Sequence, residues 1–205
     1  MEGESLFGMQ TSSERQQLPA LKGKSSDEAG LIDRVAKRDL RAFEDLYRIY
    51  HPRLSRFLLN MTQRRHLVEE VLNDTLLVVW NRADSYNGTS KVSTWIFAIA
   101  YRKALKAMRK QDEPIEDKEA DSRPSTESNP EQQLGSRQIQ EVLSKAIGQL
   151  SADHRAVVDL TYFHEIGYRE IAEIMECPTD TIKTRMFHAR RYLKNILTGE
   201  LVDWL

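Results

Sequence analysis

The 205 residues carry 30 Lys and Arg against 31 Asp and Glu, a formal net charge of −1, so the total charge alone selects no class of partner. The single cysteine, Cys177, excludes an internal disulfide framework and fits a reducing compartment, and the five histidines show no ligand-like spacing with it, so no metal or other cofactor is expected. No stretch approaches the ~18 apolar residues of a membrane span, and MEGESLFGMQ has neither a basic n-region nor an apolar h-region, which argues against a secretory signal.

Taken in order, residues 1–26 are polar and aperiodic and read as a disordered extension. Order is expected to begin near Ser26–Asp27, a plausible N-cap. Phe43, Leu46, Tyr47, Tyr50, Leu54, Phe57, Leu58 and Met61 then recur at three- and four-residue steps, an amphipathic helix that Pro52 should kink without abolishing. A second helix is predicted from Arg65 to Arg82, burying Val68, Val71, Leu72, Leu76 and Val79. Its additional apolar residues, Leu77, Val78 and Trp80, widen the arc beyond one core face, which fits either deep burial or a second, intermolecular contact. Asp84 to Ser90 is rich in turn formers and reads as a loop.

The next helix, from about Val92 to Arg109, packs through Trp95, Ile96, Ile99 and Leu105 and carries Arg102, Lys103, Lys106 and Arg109, with Lys91 and Lys110 at its ends. No acid occurs from 91 to 110. Cations interleaved with Tyr86, Trp95, Phe97 and Tyr101 suit single-stranded nucleic acid, where charge tracks phosphates and ring faces stack on bases. A plain core role is the competing reading for Trp95 and Phe97, and at least one of them is expected to be core.

Charge is segregated along the chain. Residues 27–110 hold 16 basic and 10 acidic residues, residues 111–134 hold 2 and 8, and residues 135–205 hold 9 and 10. Such separation usually serves a partner. The acidic stretch, with three prolines, reads as a flexible linker. Helices resume near Arg137, and Ser151 should cap another, packed through Ala156, Val157, Leu160, Tyr162 and Phe163.

From Tyr168 a short amphipathic helix (Ile171, Ala172, Ile174, Met175) meets the breaker Cys177–Pro178, and a longer helix follows, with Thr179 or Asp180 as its expected N-cap. Cys177 is expected as a small buried residue of that turn. In the longer helix Ile182, Met186, Ala189, Leu193 and Ile196 share one line, while Lys183, Thr184, Phe187, His188, Arg191 and Lys194 face away, flanked by Arg185 and Arg190. Five Lys or Arg and no acid lie between Thr181 and Lys194, whereas a solvated face usually mixes signs. The pattern fits a helix-turn-helix lying in a major groove. No period of two persists, so the expected fold is all-α: two small helical bundles, 27–110 and 135–205, joined by the acidic linker 111–134, the C-terminal one carrying the helix-turn-helix.

Four stretches, AFEDLYRIYHPRLSRFLL, LVEEVLNDTLLVVWNRADSYNG, STWIFAIAYRKALKAMRK and LSADHRAVVDLTYFHEIGYREIAEIMECPTDTIKTRMFHARRYL, together resemble a group 4, extracytoplasmic-function (ECF) sigma factor of bacterial RNA polymerase. The last is the most specific, with EIAEIM, Cys177–Pro178 and the spaced Thr181, Lys183, Thr184, Arg185, Ala189 and Arg190. The resemblance implies that Asn73, Asp74, Leu77 and Trp80 bind the clamp helices of core RNA polymerase. It implies −10 opening by Tyr86, Asn87, Gly88, Thr89, Lys91, Trp95, Arg102, Lys103 and Lys106. It implies −35 reading of promoter DNA by Thr181, Lys183, Thr184, Arg185, Phe187, His188 and Arg191, and docking of the second bundle on the polymerase flap. An anti-sigma factor is the further partner it implies, the acidic linker would thread the polymerase cleft, and the factor would act in the cytoplasm. Two departures stand out: Phe97-Ala98-Ile99-Ala100-Tyr101-Arg102 where the family often reads Tyr-Arg-Ile-Ala-Arg-Asn, and His188 where Arg is common. A free-standing helix-turn-helix regulator is the alternative, and it leaves the stretch from Trp95 to Lys110 without a role. No phosphate-binding glycine loop, HExxH or nucleophile elbow appears, so an enzyme is not expected.

Overall fold

The computed structural model describes residues 24–112 and 142–202. Residues 1–23 of the expected disordered extension 1–26, residues 113–134 of the expected acidic linker 111–134 and the helix start near Arg137 lie outside the described residues. Two bounds need correction: the first helix already includes residues 24–26, ahead of the expected cap at Ser26–Asp27, and the fourth runs on through Gln111 and Asp112.

The first bundle holds four α-helices, α1 (Lys24–Ala36), α2 (Leu40–Thr62), α3 (Arg65–Arg82) and α4 (Val92–Asp112), with a 3-10 turn at Ala83–Ser85 that takes up the start of the loop expected from Asp84. α2 starts where Asp39 accepts hydrogen bonds from the amides of Arg41 and Ala42, at 2.9 and 3.3 Å. It runs uninterrupted through Pro52 and ends at Gln63, whose left-handed backbone (φ 58°) returns its N–H to the Leu59 carbonyl. Most of the expected stripe is buried: Leu46, Tyr50, Leu54, Phe57, Leu58 and Met61 pack with Val68, Val71, Leu72, Leu76 and Val79 of α3 and Ile96 and Phe97 of α4, whereas Phe43 is half-buried and Tyr47 is 40% exposed, stacked on His51. α3 has the bounds its periodicity predicts. Of the paired aromatic expectations on α4, Phe97 is fully buried, edge-on to Phe57 at 5.3 Å, and Trp95 is half-buried.

The second bundle comprises α5 (142–148), α6 (Ala152–Tyr162), α7 (Tyr168–Met175) and α8 (Thr179–Val202). Ser151 caps α6 by accepting from the His154 amide. The apolar stripe expected for α6 needs correction at its end, because Tyr162 and Phe163 are 54% and 42% exposed. Tyr162 lies two residues past Leu160, about 200° around a helix at 100° per residue, and Phe163 falls beyond the last turn. Val158 and Asp159 are buried instead. α7 and α8 form the helix-turn-helix, burying Ile171, Ala172, Ile174 and Met175 against Ile182, Met186 and Ala189.

The two bundles also pack on each other, α2 against α6 and α4 against α7. Arg155 of α6, 8% exposed, donates from Nε and Nη2 to the Met61 carbonyl at 3.1 and 2.7 Å, and from Nη1 to the carbonyls of Gly148 and Leu150. Asn60 Nδ2 donates to Asp159 Oδ1 at 2.6 Å. Asp159 Oδ2 lies 3.1 Å from His164 Nε2, a pairing by distance that misses hydrogen-bond angles. The His164 ring sits 4.7 Å from Phe97 and 6.3 Å from Phe57, so an imidazole of the second bundle is seated among the core aromatics of the first.

Candidate nucleic-acid interface

The turn between α7 and α8 aims the second helix. Glu176 adopts a left-handed conformation (φ 52°) and returns its N–H to Ala172 and Glu173, while Cys177 N–H also reaches Ala172 O. Pro178 follows, and its carbonyl accepts from the amides of Thr181 and Ile182. Helix α8 therefore starts at Thr179. Asp180 is already inside the first turn, and its carboxylate accepts from Lys183 Nζ at 2.9 Å, which holds it below the usual carboxylate range. Cys177 is half-buried against the core.

With Ile182, Met186 and Ala189 turned inward, Lys183, Thr184, Phe187, His188 and Arg191 lie exposed on one face. Phe187 is 60% exposed with His188 edge-on at 5.5 Å. Beside them Tyr168, Met186, Phe187, Arg190, Arg191 and Lys194 line an open groove of about 520 Å³. A bare aromatic within a cationic rim can take a thymine methyl while its neighbours take phosphates. Two residues expected on this face are placed differently. Thr181 is half-buried, and Arg185 turns back into the protein, its Nη2 2.6 Å from Asp153 Oδ2 and its Nη1 near the sulfurs of Met175 and Cys177. The 100° projection put Arg185 on the flank, and a long flanking side chain follows the nearest carboxylate.

The residues expected at the −10 element run from the Tyr86–Ser90 loop along α4: the loop and Lys91 border one cleft, and Arg102 and Lys106 line a second one further along the helix. Asn87 Oδ1 accepts from the amide and hydroxyl of Thr89, at 3.1 and 2.7 Å, and Gly88 (φ 73°) takes the left-handed turn that a side chain would resist. Tyr86 donates its hydroxyl to Ser90 O at 2.6 Å and packs 5.6 Å from Trp95; burial raises its phenol above the ordinary value. This loop, Lys91 and the α7 carboxylates Glu170 and Glu173 border a cleft of about 680 Å³. Arg102 and Lys106 are exposed on α4, and Lys103 is half-buried.

These cations meet acids. Lys91 Nζ is 2.6 Å from Glu170 Oε1 and Arg102 Nη1 is 2.5 Å from Glu176 Oε1, both across the seam. Tyr101 donates to Asp153 Oδ1 at 2.8 Å; burial, and secondarily that bond, push its phenol well above its ordinary value. Asp153 is thus shared by Tyr101 of α4 and Arg185 of α8. The residues expected to bind polymerase are distributed along α3: Asn73 and Asp74 are exposed, Leu77 is 56% exposed, and Trp80 is half-buried, edge-on to Phe43 at 5.1 Å beneath the Arg38 guanidinium. Asp74 Oδ2 accepts from Lys103 Nζ at 3.0 Å, so one residue from each expected surface meets the other. Sequence reasoning missed the seam residues Arg155, Asp159 and His164. The one available signal was a lone acid, Asp159, between buried Val158 and Leu160.

Among the described residues no group of three or more His, Cys, Asp or Glu could hold a metal, and no helix is long and apolar enough to cross a membrane. The family model described as Sigma-70 region 2 matches residues 46–113, and that described as Sigma-70, region 4 matches residues 140–193. The chain is similar to the ECF RNA polymerase sigma factor SigM of Bacillus subtilis, 29% identical over 78% of this chain and 98% of that protein. It is also similar to the ECF RNA polymerase sigma-E factor of Haemophilus influenzae, 26% identical over 80% of this chain and 92% of that protein. Among solved structures it resembles the sigma factor RpoE of Bartonella quintana, determined in complex with the anti-sigma factor NepR, at TM-score 0.59 and 26% identity, covering 76% of this chain and 96% of that one.

Proposed function

We propose, from the premise that the chain belongs to the sigma-70 family and to its extracytoplasmic-function type, that it directs core RNA polymerase to promoters and opens them. The observation that carries this reading is the presence of two distinct DNA-suited faces in one chain. One is the exposed Lys183, Thr184, Phe187, His188 and Arg191 of α8; the other is the cationic and aromatic surface formed by Tyr86–Ser90 and α4. A duplex reader needs the first and has no use for the second, whereas a factor that also separates strands needs both.

In this proposal residues 27–110 act as the region 2-like unit, 111–134 as the acidic linker through the polymerase cleft, and 135–205 as the region 4-like unit. Phe187 offers the apolar surface for a thymine methyl, Lys183 and Arg191 hold phosphates or guanine edges, and Thr184 and His188 add polar contacts. Arg185 acts as a positioning residue, bracing the recognition helix through Asp153. Tyr86, Asn87, Gly88, Thr89 and Trp95 frame the space for an unstacked base, and Lys91, Arg102, Lys103 and Lys106 follow the strand. Exposed Leu77 with Asn73 and Asp74 meets the polymerase clamp, and Trp80 shapes that surface from beneath. The chain forms no bonds in nucleic acid itself; polymerisation belongs to the core enzyme, and the factor works where that enzyme and the chromosome are. An anti-sigma factor is the expected negative partner, as in the Bartonella complex.

The test is reconstituted transcription. The purified chain with bacterial core polymerase should start transcripts from a subset of genomic promoters that core enzyme alone ignores. Strong promoter binding by the chain alone, with no gain from core polymerase, would instead identify a free-standing helix-turn-helix regulator and end this reading.

A further inference from the structure

Helix α1 hands over to α2 in a turn whose backbone asks for glycine. The Asp39 N–H returns to Arg34 O at 3.1 Å and the Arg38 N–H to Val35 O at 2.8 Å, the paired bonds of a Schellman ending. Such an ending holds one residue in the left-handed region, and Arg38 stands there at φ 67°. Any side chain strains the backbone at this φ, and glycine would avoid the strain. The arginine instead makes contact far along the chain. Its Nη1 donates at 3.1 Å to the carbonyl of Trp80, 42 residues later. That carbonyl is among the last four of α3, which a helix leaves without amides of its own. The guanidinium carbon also lies over the Trp80 ring, 5.5 Å from its centre, and Phe43 of α2 meets the same ring edge-on at 5.1 Å. The half-buried indole is thus held by a cation and a second ring, one helical turn beyond Leu77, which is 56% exposed.

We propose that Arg38 is a positioning residue for the polymerase-binding surface of α3: from the turn between α1 and α2 it fixes the Trp80 indole in the place from which that ring shapes the contact around Leu77. The proposal rests on the assignment of Asn73, Asp74, Leu77 and Trp80 to the polymerase clamp, and it adds a residue from a different helix boundary. A strained backbone kept at an exposed turn points to a role for the side chain that is kept there. Capping α3 does not supply that role, because an exposed carbonyl at a helix end can take water instead. Holding the indole does. A planar guanidinium lies over a ring while its edge donates to the carbonyl beside it, a combination open to neither water nor the point charge of a lysine. With its ring held in advance, the surface has less ordering left to do when the clamp arrives.

Arg38→Gly tests this, because it removes the guanidinium and relieves the left-handed strain in one step. The variant should therefore fold and melt close to wild type while losing its hold on Trp80. Full-length wild type and Arg38→Gly, both grown with fluorotryptophan, would be compared by fluorine NMR, the Trp80 resonance being the one missing from Trp80→Phe. Both would also be titrated against bacterial core polymerase well below the melting temperature. The expected result is a displaced Trp80 resonance together with roughly tenfold weaker polymerase binding. A displaced resonance with unchanged affinity makes Arg38 a cap of α3 and overturns the proposal. Weaker binding with an unmoved resonance also overturns it, by placing Arg38 in direct contact with the polymerase, and so does no change in either. If circular dichroism shows Arg38→Gly to be unfolded, Arg38→Asn carries the same two readouts, since asparagine also tolerates the left-handed region. Leu77→Asp separates the two levels. Weaker polymerase binding by Leu77→Asp with none by Arg38→Gly sinks the positioning role alone, and full binding by Leu77→Asp sinks the polymerase assignment beneath it.

Discussion

Arg185 and Phe187 are two residues apart on α8 and the structure gives them opposite surroundings. Phe187 is 60% exposed, whereas the Arg185 side chain is 25% exposed and ends on Asp153. Phe187→Ala should therefore weaken −35 recognition by about 1–3 kcal/mol while leaving the melting temperature unchanged. Arg185→Ala should lower stability by about 1 kcal/mol and keep the same promoter sequence preference; promoter-library selection and thermal melts on both variants check the pair. Asp39 gives a prediction with a sign. Its carboxyl is held below the ordinary range, first by the Arg34 hydrogen bond at 2.9 Å and then by the Ala42 amide. A folded value below the unfolded one means that its stabilisation is full above the unfolded carboxylate range and disappears as pH falls through the folded value. Asp39→Asn keeps a capping oxygen but cannot titrate, so the acid limb of the melting-temperature profile should flatten. The capping role of such residues follows from their chemistry; the direction in which Arg185 points does not, because it depends on a carboxylate 32 residues earlier.

At the scale of elements, the helices were legible wherever an apolar stripe repeats. α3 starts and ends where its periodicity says, and α2 keeps its helix and its buried stripe on both sides of Pro52. The stripe failed at the C-terminal end of α6, where two aromatics, Tyr162 and Phe163, are exposed and find cations instead: Arg190 Nε donates to the Tyr162 hydroxyl at 2.9 Å, and Arg56 covers Phe163. Aromatic rings at this helix end serve cation contacts rather than burial. On α3 the surplus apolar width resolves into one exposed residue, Leu77. Leu77→Asp should leave the melting temperature unchanged and reduce core-polymerase binding at least tenfold, as measured by co-elution or fluorescence titration. Between α6 and α7, Glu165 adopts a left-handed conformation (φ 54°) at an exposed position. Relief of that strain outweighs the extra chain entropy of glycine, so Glu165→Gly should raise stability by about 0.5–1 kcal/mol, whereas β-branched Glu165→Thr should lower it; chemical denaturation distinguishes the signs.

For the whole molecule, the decisive contacts join residues about a hundred positions apart, such as Asn60 with Asp159 and Arg155 with Met61. Each bundle's own stripe could be read from local period, but nothing local tells which two surfaces will meet, and a lone Asp inside an apolar helix looks the same whether it faces water or a neighbouring Asn. The buried apolar residues of the two bundles run together into one core. Calorimetry of the full chain should then show one cooperative unfolding transition. Arg155→Ala, which strips a buried guanidinium from three carbonyls, should cost about 3 kcal/mol and resolve the melt into two steps. The bond between Asp74 and Lys103 carries a consequence of its own. A polymerase that recruits the Asp74 carboxylate releases the Lys103 ammonium for a phosphate, and a strand that takes Lys103 exposes Asp74 in turn. On the proposed roles of these two residues, enzyme and nucleic acid would then act as reciprocal effectors through that one ion pair.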